Sequence, residues 1–191
     1  MSLTKPLTTY KKFCFLTACL ALVLTGCLGY EEEYLFIDIP NQVGEVIYFN
    51  IVSDAECEDK IQQDFQDLID MAYNDTCEAS NGQKTIRSVS RALYGIGSQL
   101  DGMMTFSFKD LAGGLGEFEI TIDDNGSYVC KLGADEVYIG GNGTYSEHDS
   151  IKTVTWNKKS TTIELKTRSA VFYKTKTTSM LSYWLDWKKT T

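Results

Sequence analysis

Residues 117–132 read Glu-Phe-Glu-Ile-Thr-Ile-Asp-Asp-Asn-Gly-Ser-Tyr-Val-Cys-Lys-Leu, and they decide the fold class. Phe118, Ile120 and Ile122 fall on one face of an extended segment, because successive side chains of a strand point to opposite sides. Asp124-Asn125-Gly126 then supplies the turn. Asn-Gly accepts the positive φ angles of a tight hairpin connection, so Ser127–Leu132 returns antiparallel to the first strand.

The same alternation recurs outward in both directions. Tyr34–Ile39 places Leu35, Ile37 and Ile39 together, and Val46–Ile51 places Ile47, Phe49 and Ile51 together, with Pro40-Asn41-Gln42 as the turn between them. Thr85–Leu93 and Met103–Phe108 follow, the latter with Met104, Phe106 and Phe108 on one face. Glu136–Ile139 reads as a short strand and Gly140–Ser150 as a mobile Gly-rich loop. Ile151–Trp156, Thr161–Thr167 and Ala170–Lys174 read as closing strands.

Two segments break this period. After N-cap candidates Ser53 and Asp54, Ile61, Phe65, Leu68, Ile69 and Ala72 recur at helical spacing over residues 55–73, with Asp59, Gln62, Gln63, Asp67 and Asp70 on the wet face. Ser179–Lys188 reads as a short amphipathic helix. The expected class is α+β: a largely antiparallel sheet, one long amphipathic helix packed on it, and a short C-terminal helix.

The N-terminus carries a different kind of information. Residues 1–12 contain Lys5, Lys11 and Lys12 and no acid, and Phe13–Leu24 is apolar except for Thr17. Twelve helical residues span roughly 18 Å against a hydrocarbon core of roughly 30 Å, which suits a signal-peptide core and not a permanent span. The run ends in Leu24-Thr25-Gly26-Cys27, which resembles the lipobox of bacterial lipoproteins. That resemblance implies recognition of Leu24, Thr25 and Gly26 by a signal peptidase, cleavage before Cys27, and a diacylglyceryl thioether with palmitate-type acylation on Cys27. In this family an Asp after the cysteine marks retention in the inner membrane. Leu28 stands there instead, implying an outer-membrane anchor facing the periplasm.

The expected organisation is therefore a signal peptide (1–26), a lipidated Cys27 with a short tether (27–32), and one α+β domain (33–191). The tether reaches at most about 17 Å, so the domain is expected to lie close against the membrane. The mature domain also loosely resembles small envelope lipoproteins with an acidic start and a β-rich body.

Composition excludes several classes. With 43% hydrophobic and 12% aromatic residues the chain is not disordered, and 15 Gly with 2 Pro exclude a collagen-like repeat. Cleavage would take the net charge from −8 to −11 by removing three lysines. Acids concentrate in residues 27–151 and bases in 152–191, where pairing with acidic neighbours competes with a basic surface for anionic headgroups. Nucleic acid is not an expected partner.

No catalytic, metal or cofactor motif emerges. His148, the only histidine, sits among Ser146, Glu147 and Asp149, but triads are assembled from separate elements. Asp123–Ser127 resembles the start of a calcium loop, yet Ala134 stands where a bidentate Glu is required. Gly113–Gly116 and Gly140–Gly143 lack the Lys-Ser/Thr of a phosphate loop. Glu31-Glu32-Glu33 reads as solvated. Of the cysteines left after cleavage, Cys130 joined to Cys57 or Cys77 competes with three free thiols, while Cys57–Cys77 conflicts with a helix spanning 55–73.

Trp184 and Trp187 either cap the core or, with Lys188 and Lys189, face the membrane interface. The expected function is that of a non-enzymatic, contact-making or structural envelope lipoprotein, held to the membrane by Cys27 and engaging an envelope protein or lipid. The alternative is a periplasmic carrier of an apolar ligand, held between the helix and a wall of Met104, Phe106, Phe108, Phe118, Ile120 and Ile122.

Overall fold

The computed structural model of the chain describes residues 28–74, 86–109, 111, 115, 118–170, 172 and 176–191. The expected signal peptide, Cys27, Cys77 and most of the expected strand Ala170–Lys174 lie outside them.

Among the described residues the elements are β1 (Leu28–Gly29), β2 (Glu32–Asp38), β3 (Val43–Phe49), β4 (Val52–Ser53), α1 (Glu58–Ile69), β5 (Ile86–Ile96), β6 (Gln99–Phe108), β7 (Ile120–Ile122), β8 (Tyr128–Leu132), β9 (Glu136–Gly141), β10 (Thr144–His148), β11 (Ile151–Trp156), β12 (Thr162–Ser169), β13 (Thr178–Ser179) and α2 (Leu181–Lys188). The strands form a six-stranded sheet in the order β5-β6-β3-β2-β12-β9, a four-stranded sheet β10-β11-β8-β7, and a small sheet β1-β4-β13. Every pairing is antiparallel.

The core lies on one face of the six-stranded sheet. Cross-strand register aligns Leu165, Leu35, Val46 and Met104 in one row, and Ile163, Ile37, Gly44 and Phe106 in the next. These side chains are buried, and Ile120, Cys130 and Val154 of the four-stranded sheet belong to the same buried cluster. Phe106 packs against Phe118 with ring centroids 5.1 Å apart. A Cβ on Gly44 would fall 2.2 Å from the Phe106 ring, so a bare backbone at residue 44 is what lets that ring lie over β3.

The inward set on β3 is Gly44, Val46 and Tyr48, which corrects the expectation of Ile47, Phe49 and Ile51 together. Both faces of β3 are apolar, so its own pattern does not choose between them; pairing with Leu35 and Ile37 does. Asn50 then takes a left-handed conformation (φ 54), which breaks the alternation and returns Ile51 to the core.

The helix is shorter than expected. α1 has 12 residues and continues as a π turn, Asp70–Asn74. Its N-cap is Cys57, not Ser53 or Asp54, because Ser53 is taken into β4. Ser53 Oγ donates to the buried Asp64 carboxylate at 2.5 Å and accepts from Ala55 N at 3.0 Å, clamping α1 to the small sheet. α1 presents Ile61, Leu68 and Ile69 to the core, and Arg91 of β5 donates to the Met71 carbonyl of the π turn.

The segment expected as a mobile loop is also ordered. β9 closes the edge of the six-stranded sheet and β10 the edge of the four-stranded one, and Asn142 in the turn between them is held from several sides. Its Oδ1 accepts from Trp156 Nε1 at 2.7 Å and Glu164 N at 2.8 Å, and its Nδ2 donates to Thr162 Oγ1 at 3.0 Å. Gly141, at φ 140, lies so near the Glu164 carbonyl that a Cβ there would sit 2.2 Å from its oxygen. Replacing Asn142 with Ala removes the acceptor shared by Trp156 and Glu164. Urea denaturation should show a loss of about 1–2 kcal/mol, and an unchanged midpoint would mean that the turn does not pin the two sheets.

Candidate functional site

The described chain starts inside the fold. Leu28 pairs with Ser53 and Gly29 with Val52, while Thr178 and Ser179 flank the other side of β4. Glu32 already belongs to β2. Residues 28–32 are therefore part of the folded body, which corrects their reading as a tether: backbone pairing and the packing of Leu28 and Tyr30 on the core hold them. A group carried by Cys27 would lie one Cα spacing, about 3.8 Å, from a paired strand.

The acidic run Glu31-Glu32-Glu33 meets three fates. Glu31 accepts from Asn50 Nδ2 at 3.0 Å. Glu32 points to the outer face of the sheet, where it pairs with Lys166 at 2.6 Å and with Arg168. Those hydrogen bonds hold its carboxyl below the usual range. Two bases of the C-terminal region are thus engaged within the fold. Glu33 shares the inward face with Leu35, and its Oε2 accepts from Tyr30 Oη at 2.7 Å. None of this is visible in the run itself, since strand parity alone separates three identical side chains.

Glu33 lines a cavity of about 30 Å³ between the sheets, with Cys130, Glu136, Glu119, Lys131 and Thr167. That is room for about one or two waters. Burial pushes Glu33 up to about 7, with the charge of Glu136 adding to the effect. Burial also raises Glu136, although its Oε2 accepts from Gly133 N at 2.8 Å. Cys130 is raised further by burial and by Glu136, Glu119 and Glu33, so its thiol stays protonated. The arrangement can take up and hold a proton in the interior.

The other sequence-derived candidates do not converge. Cys130 is buried and free, Cys57 is exposed and free, and no disulfide joins them. His148 is exposed beside Asp149 at 3.0 Å, away from the buried Cys130. Asp123 caps the β7–β8 turn, accepting from Asn125 N and Ser127 N at 2.9 and 2.8 Å. Among the described residues no group of three or more His, Cys, Asp or Glu is arranged to hold a metal ion. No described helix is long and apolar enough to cross a membrane.

In α2, Trp184 is only 6% exposed and belongs to the core, which corrects its reading as a membrane-facing residue: the ring is wanted over Gly95, 3.4 Å from a Cβ there. Trp187 is half-buried and stacks on Tyr73 at 5.2 Å. Lys188 and Lys189 are exposed; Lys188 Nζ lies 4.5 Å from the Trp184 ring, and Lys189 pairs with Asp186 at 2.7 Å.

These features define a class by structure alone: an α+β protein in which two antiparallel sheets and two helices enclose a core containing an acid pair. Comparison of the chain with protein-family models, curated proteins and solved structures returns no match in any of the three.

The folded chain keeps the Glu33 proton up to about pH 7, whereas an unfolded glutamate releases it near 4.5. Its contribution is fully present below about 4.5 and is lost as pH rises through 7, on the order of 3 kcal/mol. Urea titrations from pH 4.5 to 7.5 should show stability falling across this window, with a flatter profile in Glu33→Gln. Equal slopes in the two proteins would contradict an inward protonated Glu33. Separately, Trp184→Ala should lower stability by about 3 kcal/mol or more and Trp187→Ala by distinctly less, as read by thermal unfolding.

Proposed function

We propose that this chain is a membrane-anchored envelope lipoprotein with a non-enzymatic, contact-making or structural role. The observation that carries the reading is where the sequence signal meets the fold. A basic start, a short apolar core and Leu24-Thr25-Gly26-Cys27 end one residue before the first paired strand. Cleavage before Cys27 would leave the folded body whole and put the acyl chains at its surface. Each buried methylene contributes about 0.8 kcal/mol, so two or three chains anchor the protein durably. The absence of Asp at residue 28 supports the outer membrane, facing the periplasm.

Among the described residues, the room between α1 and the large sheet supports the contact-making reading over the apolar carrier. The cavity between α1 and the large sheet, lined by Ile51, Leu68, Met71, Leu93 and Met104 among others, holds about 20 Å³. Ligand pockets generally hold about 300–1,000 Å³.

The test is metabolic labelling with a palmitate analogue in a bacterial host, followed by membrane fractionation. The wild-type chain should take up label, lose about the mass of residues 1–26 and stay with the outer membrane. Cys27→Ser should remain unlabelled and at the precursor mass. Label in Cys27→Ser, or none in the wild type, would overturn the reading.

A further inference from the structure

Carboxylates from three elements meet at the seam between the two large sheets. On the inner face of the six-stranded sheet, Thr167 of β12 lies between Glu33 of β2 and Tyr138 of β9. Glu136 is two residues before Tyr138 and therefore on the same side of β9. Glu119 reaches the same cavity from the four-stranded side, just before β7. The space they border holds one or two waters, and among the described residues no Lys or Arg forms an ion pair with any of the three.

The titratable and charged groups that face Glu33 come from every neighbouring element. Tyr30 donates to it from the link between β1 and β2, and Tyr48 of β3 packs on the Tyr30 ring at 4.9 Å. Glu136 of β9, Glu119, and Cys130 and Lys131 of β8 border the cavity. Lys152 of β11 acts on Glu136, with its Nζ donating to the Ala134 and Glu136 carbonyls at 3.0 and 2.7 Å. A space this small cannot hydrate several carboxylates, so charges that form there together repel at close range. One proton on the cluster removes much of that repulsion.

The seam also lies where the fold opens most easily. β9 is an edge strand of the six-stranded sheet and β7, three residues long, an edge strand of the four-stranded sheet. Each pairs with one strand only. Glu119 has φ 50, a left-handed conformation that costs a residue with a side chain and that movement of this segment would relieve.

We propose that Glu33, Glu136 and Glu119 form a proton-operated latch between the two sheets. With a proton on the cluster the seam is closed. With all three ionised, the edge formed by Phe118, Glu119 and β7 moves away from β9 and uncovers Cys130. The rest of the core, including the layer made by α1 and α2, stays folded. The latch does not depend on the lipid anchor.

Cys130 reports the state of the seam. Its thiol is buried and donates to the Phe118 carbonyl at 3.5 Å, while the exposed thiol of Cys57 provides a reference in the same molecule. The test is labelling of the full chain, purified in detergent, with a pyridyl disulfide reagent at a series of pH values, with labelled peptides resolved by mass spectrometry. The ratio of Cys130 to Cys57 labelling rates should rise at least about tenfold between about pH 5 and 7 and level off above. The sign follows from Glu33, which keeps its proton to about 7 in the closed form and releases it near 4.5 once exposed. Glu33→Gln should reduce the rise to less than about threefold, and Glu136→Gln serves if that variant does not fold. Urea up to about 1 M should change the wild-type ratio less than twofold, because a local opening exposes little surface and global unfolding exposes much. A ratio indifferent to pH, an equal rise in the Gln variant, or a steep response to urea would each overturn the proposal.

Discussion

Phe106 lying over the bare backbone of Gly44 is the contact on which the rest of the molecule depends. A side chain at residue 44 would collide with the ring, so β3 and β6 pair in a way that leaves a flat apolar floor. On one side of that floor Phe118 and the four-stranded sheet settle; on the other, α1 and α2 do. The six-stranded sheet thus has its inner face covered by two different layers along its length. Each layer has its own pin: Asn142 bridging Trp156 and Glu164 at one end, and Ser53 with Asp64 at the other. Burial of Ser53 and Asp64 is tolerated because both are hydrogen-bonded, whereas Asn142 makes its bonds at an exposed position.

This division has a functional consequence. Among the described residues the inner face is packed, and the spaces lined by Glu33 and by Leu68, about 30 and 20 Å³, suit water better than a ligand. The N-terminal strand, locked between Ser53 and the β2 start, ties the proposed anchor rigidly to the body. A rigid attachment would orient the domain on the membrane, where a flexible linker would let it tumble. Glu33, one member of the interior acid pair, sits a few residues from that attachment on the strand that carries Glu32 on its outer side, and Glu136 reaches it from β9.

Much of the β architecture is legible because an antiparallel sheet leaves a period-two signature and turns have demanding backbone angles. Leu35 and Ile37, Met104, Phe106 and Phe108, and the Asp123–Ser127 turn all stand where alternation and turn chemistry put them. The failures share a cause. β1, β4 and β13 are two residues long, too short to carry a pattern. β3 is apolar on both faces, so its inward side is chosen by its neighbours. The Gly140–Ser150 segment has the composition of a loop but carries the chain from β9 in one sheet into β10 in the other, because Asn142 and Gly141 fit against β12. Trp184 and Trp187 share a helix and a hydrophobic character, yet only the approach of Gly95 tells which ring is in the core.

The sequence by itself determined the antiparallel β character and the positions of most strands and turns, and it carries the signal on which the proposed anchor at Cys27 rests. These are local properties, encoded in periods of two, in Asn-Gly and in the length of an apolar run. Tertiary structure alone decided which face of β3 is inside. It sent Glu32 to Lys166 and Arg168 and Glu33 to Tyr30, and it put Tyr34 and Phe36, half-buried, on the outer face of the sheet. The reason is that a strand with comparable residues on both sides carries no preference of its own. Its orientation is the outcome of pairing with strands distant in the chain, and that outcome fixes the protonation of the interior and the chemistry of the surface together.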